Sequence, residues 1–235
     1  MRLYLSSERL GERAGALLAM LPERAQEKSS DFSGSSARPG KYHSRVAVIA
    51  NGYDHRSTAA RDLYRAEVYD PLEEFRSLEL LAHELDLRAH FGDPQSLRDR
   101  LAGYDLAWVM GGNSFILRRA MRQSGFDTVI RELLEADRIA YGGYAAGAVV
   151  AGPNLRGMEL MDDPWELPDG YDEPLIWHGL GLTPFAIVPH YRSRHPEAAS
   201  AEKVVSYMRA RRTRFRAISD GEVIVRVGNL ERLAS

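Results

Sequence analysis

The 235-residue chain has no cysteine. That absence excludes disulfides, thiolate metal sites and a cysteine nucleophile, and nothing else in the chain requires an oxidising compartment. No run approaches the roughly 20 apolar residues of a membrane span, so no membrane partner is expected. The opening stretch, MRLYLSSERLGERAG, carries charges inside a short apolar segment and lacks the basic region and long apolar core of a signal peptide; a cytoplasmic location follows as the expectation. An excess of positive charge is missing too. With 31 Lys and Arg against 33 Asp and Glu, the chain has no basic field with which to neutralise phosphates, and nucleic acid is set aside as a partner.

What remains is the composition of an ordinary globular protein, 44% apolar and 27% charged. Short apolar runs at Arg2 to Leu5, Arg45 to Ala50, Glu84 to Arg88, Asp105 to Met110, Arg138 to Tyr141 and Phe185 to Val188 read as strands, most of them buried on both faces. Helical patterns lie between them, at Glu8 to Met20, about Thr58 to His83, Pro94 to Ala102, Ser114 to Gln123, Phe126 to Glu135 and Pro196 to Arg211. This alternation predicts a three-layer α/β/α sandwich with a mostly parallel central sheet, formed by residues 1–235 as one domain. The tail RFRAISDGEVIVRVGNLERLAS adds two or three short strands suited to antiparallel pairing at one edge. Residues 25–44 are rich in Ser, Gly and charge and read as a mobile surface loop, more a tolerated insertion than a lid.

Open α/β sheets place their ligands at the carboxyl ends of strands, and three such ends carry chemistry here. After DLAWVM comes Gly111-Gly112-Asn113-Ser114-Phe115, where Asn113 can cap the next helix and free N–H groups can face an anion or a developing oxyanion. After RIAYGG comes Gly143-Tyr144-Ala145-Ala146-Gly147, a strand turning sharply into a helix of small residues. With serine at its centre it would read G-x-S-x-G, the nucleophile elbow. The third end is Phe185-Ala186-Ile187-Val188-Pro189-His190-Tyr191, which sets His190 where a general base is useful. The other six histidines read as solvent-facing: His43, His55, His83 and His90 away from the strand ends, His178 and His195 in polar loops.

Together GGNSF, GYAAGA and VPHY, in that order, resemble the dipeptidase E group of serine peptidases, which includes cyanophycinases. The resemblance spans nearly the whole chain. It implies a flavodoxin-like or class I glutamine-amidotransferase-like fold and a Ser-His-acid triad that hydrolyses small peptides, with N-terminal aspartate in dipeptidase E itself. It also implies backbone oxyanion donors, which fall on Gly112 and Ala146. Asp220, in ISDGEVIV, is the preferred triad acid; Glu159, Asp162 and Asp163, in GMELMDDP, stay open as alternatives. Asn113, Arg192 and Arg194 are candidate substrate contacts, the arginines through bidentate pairing with an acidic side chain. No metal or cofactor is expected. The expected partner is a small peptide, as substrate or ligand, with a homodimer allowed.

The chain departs from the pattern at Ala145, because alanine cannot attack a carbonyl. Neither Ser114 nor Tyr144 occupies the apex, so the chain as written should be nearly inert. Two explanations fit: a serine changed to alanine, or a natural pseudoenzyme that binds a peptide or amino acid without cleaving it. A third reading, a glutamine-amidotransferase-like hydrolase of another amide, is weakened by the missing cysteine.

Overall fold

A computed structural model describes residues 1–22 and 44–234. The loop read at 25–44 falls, apart from Ser44, outside the described residues. Seven strands form the main sheet. Five are parallel: β1 (Arg2–Ser6), β2 (Arg45–Ile49), β3 (Leu81–Glu84), β4 (Leu106–Val109) and β5 (Ala140–Tyr144). The tail supplies β8 (Val223–Val227), antiparallel to β1, and β9 (Leu230–Ala234), antiparallel to β8. The spatial order is β3-β2-β4-β5-β1-β8-β9, so the mostly parallel sheet with an antiparallel edge matches the expectation.

Alternation along the strands divides the core into two layers. Leu3, Leu5, Ala47, Ile49, Ala107 and Val109 face one layer, while Tyr4, Val46, Val48, Leu106 and Trp108 face the other. Against the first pack α4 (Pro94–Leu101), α5 (Ser114–Gln123), α6 (Phe126–Glu135), α7 (Ala146–Val149) and α8 (Ala198–Ala210). The second is covered by α1 (Ala14–Leu18), α2 (Thr58–Glu67) and α3 (Pro71–Ser77). No helix among the described residues is long and apolar enough to cross a membrane.

Four sequence expectations need correction. The helix expected over Glu8 to Met20 shrinks to α1, because Arg9 and Gly11 both adopt positive φ, 47° and 62°, which an α-helix cannot hold. The long helix over Thr58 to His83 breaks at Asp70-Pro71: proline lacks the N–H to continue α2, and the Asp70 carboxylate instead accepts from Leu72 and Glu73 to start α3. The strand placed at Glu84 to Arg88 lies earlier, at Leu81–Glu84, and Asp86 caps a 3-10 turn over Leu87–His90 by accepting the Arg88 N–H at 3.0 Å. Finally, the Phe185 to Val188 strand does not join the main sheet. It becomes β6 (Ala186–Val188) and, among the described residues, pairs in parallel only with β7 (Phe215–Ala217).

Register then positions the site. Val109 pairs with Gly143, and Ser6 pairs with Tyr144. The carboxyl ends of β4, β5 and β1 therefore lie side by side.

Candidate active site

Ala145 is the apex of the β5-to-α7 turn, at φ 46° and ψ −117°. A non-glycine residue there carries strain that its surroundings must over-determine. They do: its N–H donates to Ser7 O at 3.1 Å, its carbonyl accepts from Ala148 and Val149, and α7 starts at the next residue. Gly147 is required by contact, since an added Cβ would sit 2.1 Å from the Val109 carbonyl oxygen of β4. The neighbouring β4-to-α5 turn is equally tight. Gly112 has φ 99°, and a Cβ there would lie 2.4 Å from Gly52 O. The two turns touch, because a Cβ built on Gly111 would come within 3.3 Å of the Ala145 methyl.

Gly112 and Ala146 both line a cleft of about 390 Å³, together with Ala145 and His190. Neither of their N–H groups has an acceptor among the described residues, which leaves two backbone donors available to an oxyanion. Asn113 caps α5 as expected: its Oδ1 accepts from Phe115 and Ile116 at 2.9 and 3.2 Å. Its Nδ2 donates to Asp163 O and to Glu166 Oε2, so the whole amide is engaged in holding the cleft wall.

His190 follows β6, with φ 60° and a side chain only 3% exposed. Its Nδ1 lies 2.8 Å from Asp220 Oδ1. Between an imidazole and a carboxylate Nδ1 is the donor, which leaves the Nε2 lone pair on the cleft side. Burial pushes the Asp220 carboxyl up, but hydrogen bonds from His190 and Ser7 outweigh it and hold the group below its ordinary range. Ser7, at the end of β1, joins the two. Its hydroxyl accepts the His190 backbone N–H at 2.7 Å and donates to Asp220 Oδ1 at 2.8 Å.

The alternative acids have other partners. Glu159 accepts the Gly157 N–H, and Asp163 accepts that of Trp165. Asp162 lines the cleft but takes both the N–H and the hydroxyl of Ser114 at the start of α5. Burial pushes its carboxyl up to about 6, against the bonds from Ser114 that favour the charged form. Arg192 and Arg194 do not line the cleft. Arg192 is 72% exposed, stacks over Tyr191 and lies 3.6 Å from Glu202; Arg194 is exposed.

Several cleft residues escape sequence reading. His55 and His195, read as solvent-facing, both line the cleft, and the His195 ring stacks on His190 at 3.7 Å with planes 9° apart. Glu8, Arg9, Tyr53, Arg56 and Glu197 join them. The only sequence signal for His195 and Glu197 is proximity to His190 in HYRSRHPE, whereas nothing local marks Ser7.

A mostly parallel sheet between helical layers, with a sharp strand-to-helix turn, free backbone donors and an imidazole–carboxylate pair in one cleft, is an arrangement that suits acyl-transfer chemistry. Comparison with known proteins makes that specific. The model of peptidase family S51 matches residues 56–233, and the chain belongs to that family. It is 30% identical over 151 residues to an uncharacterized peptidase of Listeria monocytogenes, covering 63% of this chain and 68% of that one. It is 34% identical over 105 residues to peptidase E of Streptomyces coelicolor, covering 45% of this chain and 38% of that one. Other matched relatives, such as an uncharacterized peptidase of Pasteurella multocida, are covered over about half their length, 55% in that case. Among solved structures, a candidate peptidase E protein from Listeria monocytogenes superposes with a TM-score of 0.70 at 23% identity, covering 99% of this chain and 97% of that one. A peptidase from an acI-B1 actinobacterium gives 0.62 at 12% identity, over 99% and 86%. At these identities the two structures speak for the fold alone.

Proposed function

We propose that the cleft binds short peptides in the manner of a serine peptidase, and that Ala145 stops the reaction before a covalent bond forms. The carrying observation is the His190–Asp220 pair, at 2.8 Å, in the same cleft as the elbow apex. The cleft also carries both signs of charge. Glu8, Asp162, Asp163, Glu166 and Glu197 contribute negative groups, while Arg9, 3.7 Å from Glu8, and Arg56 contribute positive ones, stacked over Tyr69 and Tyr53. Such opposed charges suit a short peptide with a free amino group and a free carboxylate.

With serine at position 145, His190 Nε2 would take the hydroxyl proton as the oxygen attacks the scissile carbonyl. The N–H groups of Gly112 and Ala146 would hold the oxyanion, and the same imidazole would return the proton to the departing amine. Water would then release the acyl group. Alanine leaves every part of this sequence in place except the attacking atom, and loss of a serine nucleophile lowers kcat on the order of 10⁶-fold. The second reading, a pseudoenzyme that binds without cleaving, rests on Ala145 itself and on its intact surroundings.

The test is Ala145→Ser, assayed on a dipeptide panel that begins with aspartyl dipeptides. Hydrolysis in the serine form, lost again on adding His190→Ala, supports the peptidase reading. Two inert forms, with a peptide bound by the alanine form, favour the pseudoenzyme.

A further inference from the structure

His190 has a second set of neighbours that the triad does not use. Its Nδ1 is committed to Asp220, so its Nε2 presents a lone pair to the cleft. In a serine peptidase the nucleophile's hydroxyl donates to that lone pair; an alanine methyl donates nothing. The charged group nearest to Nε2 is another acceptor, Glu197 Oε2 at 3.8 Å, and the His195 ring lies alongside. One ligand atom from each of His190, His195 and Glu197 falls within 4.8 Å of the others. A buried lone pair, a carboxylate and a second imidazole lie within 4.8 Å of one another, with no proton donor between the first two, and together they offer ligands for a cation.

We propose that His190, His195 and Glu197 bind a divalent zinc ion in the cleft, with Asp220 as the outer carboxylate. Two imidazoles and a carboxylate are a zinc ligand set that leaves a fourth, open position. A carboxylate that accepts from the far nitrogen of a ligating histidine fixes its tautomer and raises its basicity, and Asp220 already does this. Zinc needs its ligand atoms about 2.0–2.2 Å away, so the cluster must contract. The parts that would move are the accessible ones. Glu197 is 48% exposed, and His195 is held by its stack on His190 and by a 3.2 Å contact from the Glu197 N–H to its Nδ1. His195 must also leave its stack, since lone pairs lying in two parallel ring planes cannot meet at one ion. His190 and Asp220 stay where they are. Zinc and a serine hydroxyl would compete for the same lone pair, so the metal would inhibit a serine form of the protein.

Titration of the tag-free, metal-stripped alanine chain with zinc chloride, followed by calorimetry, tests this without reference to peptidase activity. One zinc per chain is expected. His195→Ala and Glu197→Gln should each weaken binding at least about tenfold, and Asp220→Asn about 10–100-fold. Circular dichroism should show all three variants folded. Cobalt in place of zinc should give a visible absorption band that His195→Ala abolishes. Absence of stoichiometric binding overturns the proposal. So does binding that both His195→Ala and Glu197→Gln leave undiminished, which would put the metal on other histidines.

Discussion

The elbow and the base line one cleft and are built by different means. Ala145 and His190 both have positive φ, 46° and 60°, yet the first is held almost wholly by backbone and the second by side chains. At the elbow, glycines, carbonyls and the start of α7 fix the turn, and the identity of the side chain at its apex makes no contribution to holding it. At the base, Ser7, Asp220 and Ser193 fix the imidazole through their own functional groups, the last by accepting the Asp220 N–H at 2.8 Å. A backbone mount can lose its chemistry in a single substitution and keep its shape. A side-chain mount cannot.

That contrast can be broken from either side. In the Ala145→Ser background, Asp220→Asn should lower kcat about 10⁴-fold by stabilising the wrong imidazole tautomer, while thermal unfolding shows the elbow unharmed. A loss below tenfold would mean that Asp220 only packs against His190. Gly147→Ala attacks the other mount. Its Cβ would meet the Val109 carbonyl at 2.1 Å, so a loss of about 3 kcal/mol in urea unfolding is expected, and unchanged stability would show that the turn can shift.

Asp162 gives a smaller, pH-dependent effect. Its folded pKa, about 6, lies above the ordinary 3.8, so the folded chain holds a proton that the unfolded chain has released between those values. Its contribution is therefore most favourable below about pH 4 and falls as the pH rises to 6. Asp162→Asn should remove a slope on the order of 2 kcal/mol, read as the difference between urea midpoints of the two proteins at pH 4 and pH 7.5. Equal slopes in both would place the proton elsewhere. The smallest effect belongs to Ser7→Ala, which removes an acceptor from the His190 N–H and a donor to Asp220. It should cost about 1–2 kcal/mol and, in the serine background, lower kcat about tenfold with KM little changed. A shift in KM alone would assign Ser7 to substrate binding instead.

The same contrast explains what sequence could reveal. α5 and α6 were legible to the residue, because Asn113 and the apolar periodicity mark them locally. The elbow and the GGN turn are legible because close backbone contact at Gly143 and Gly147, and positive φ at Gly112, demand glycine. The break at Asp70-Pro71 was legible in principle, yet the amphipathic pattern on either side masks it. β6 reads as a strand, but its exclusion from the main sheet depends on pairing with β7, which no local pattern announces. Ser7 and His195 were not legible. One acts through residues about two hundred positions away in sequence, at 190 and 220, and the other through a stack that only the loop's path creates.

β1 lies inside the sheet, between β5 and β8, although it precedes residues 140–144 and 223–227 in the chain. During synthesis it must therefore wait for both neighbours, with its hydrogen-bonding edges open, while β2 and β4 already have one another's company. Pairings of such long range are slow to form and leave edges exposed to stray association. Since Ser7 directly follows β1, the cleft can be wired only when that last closure occurs. Ligand capture by a refolding chain would then time the completion of the whole sheet.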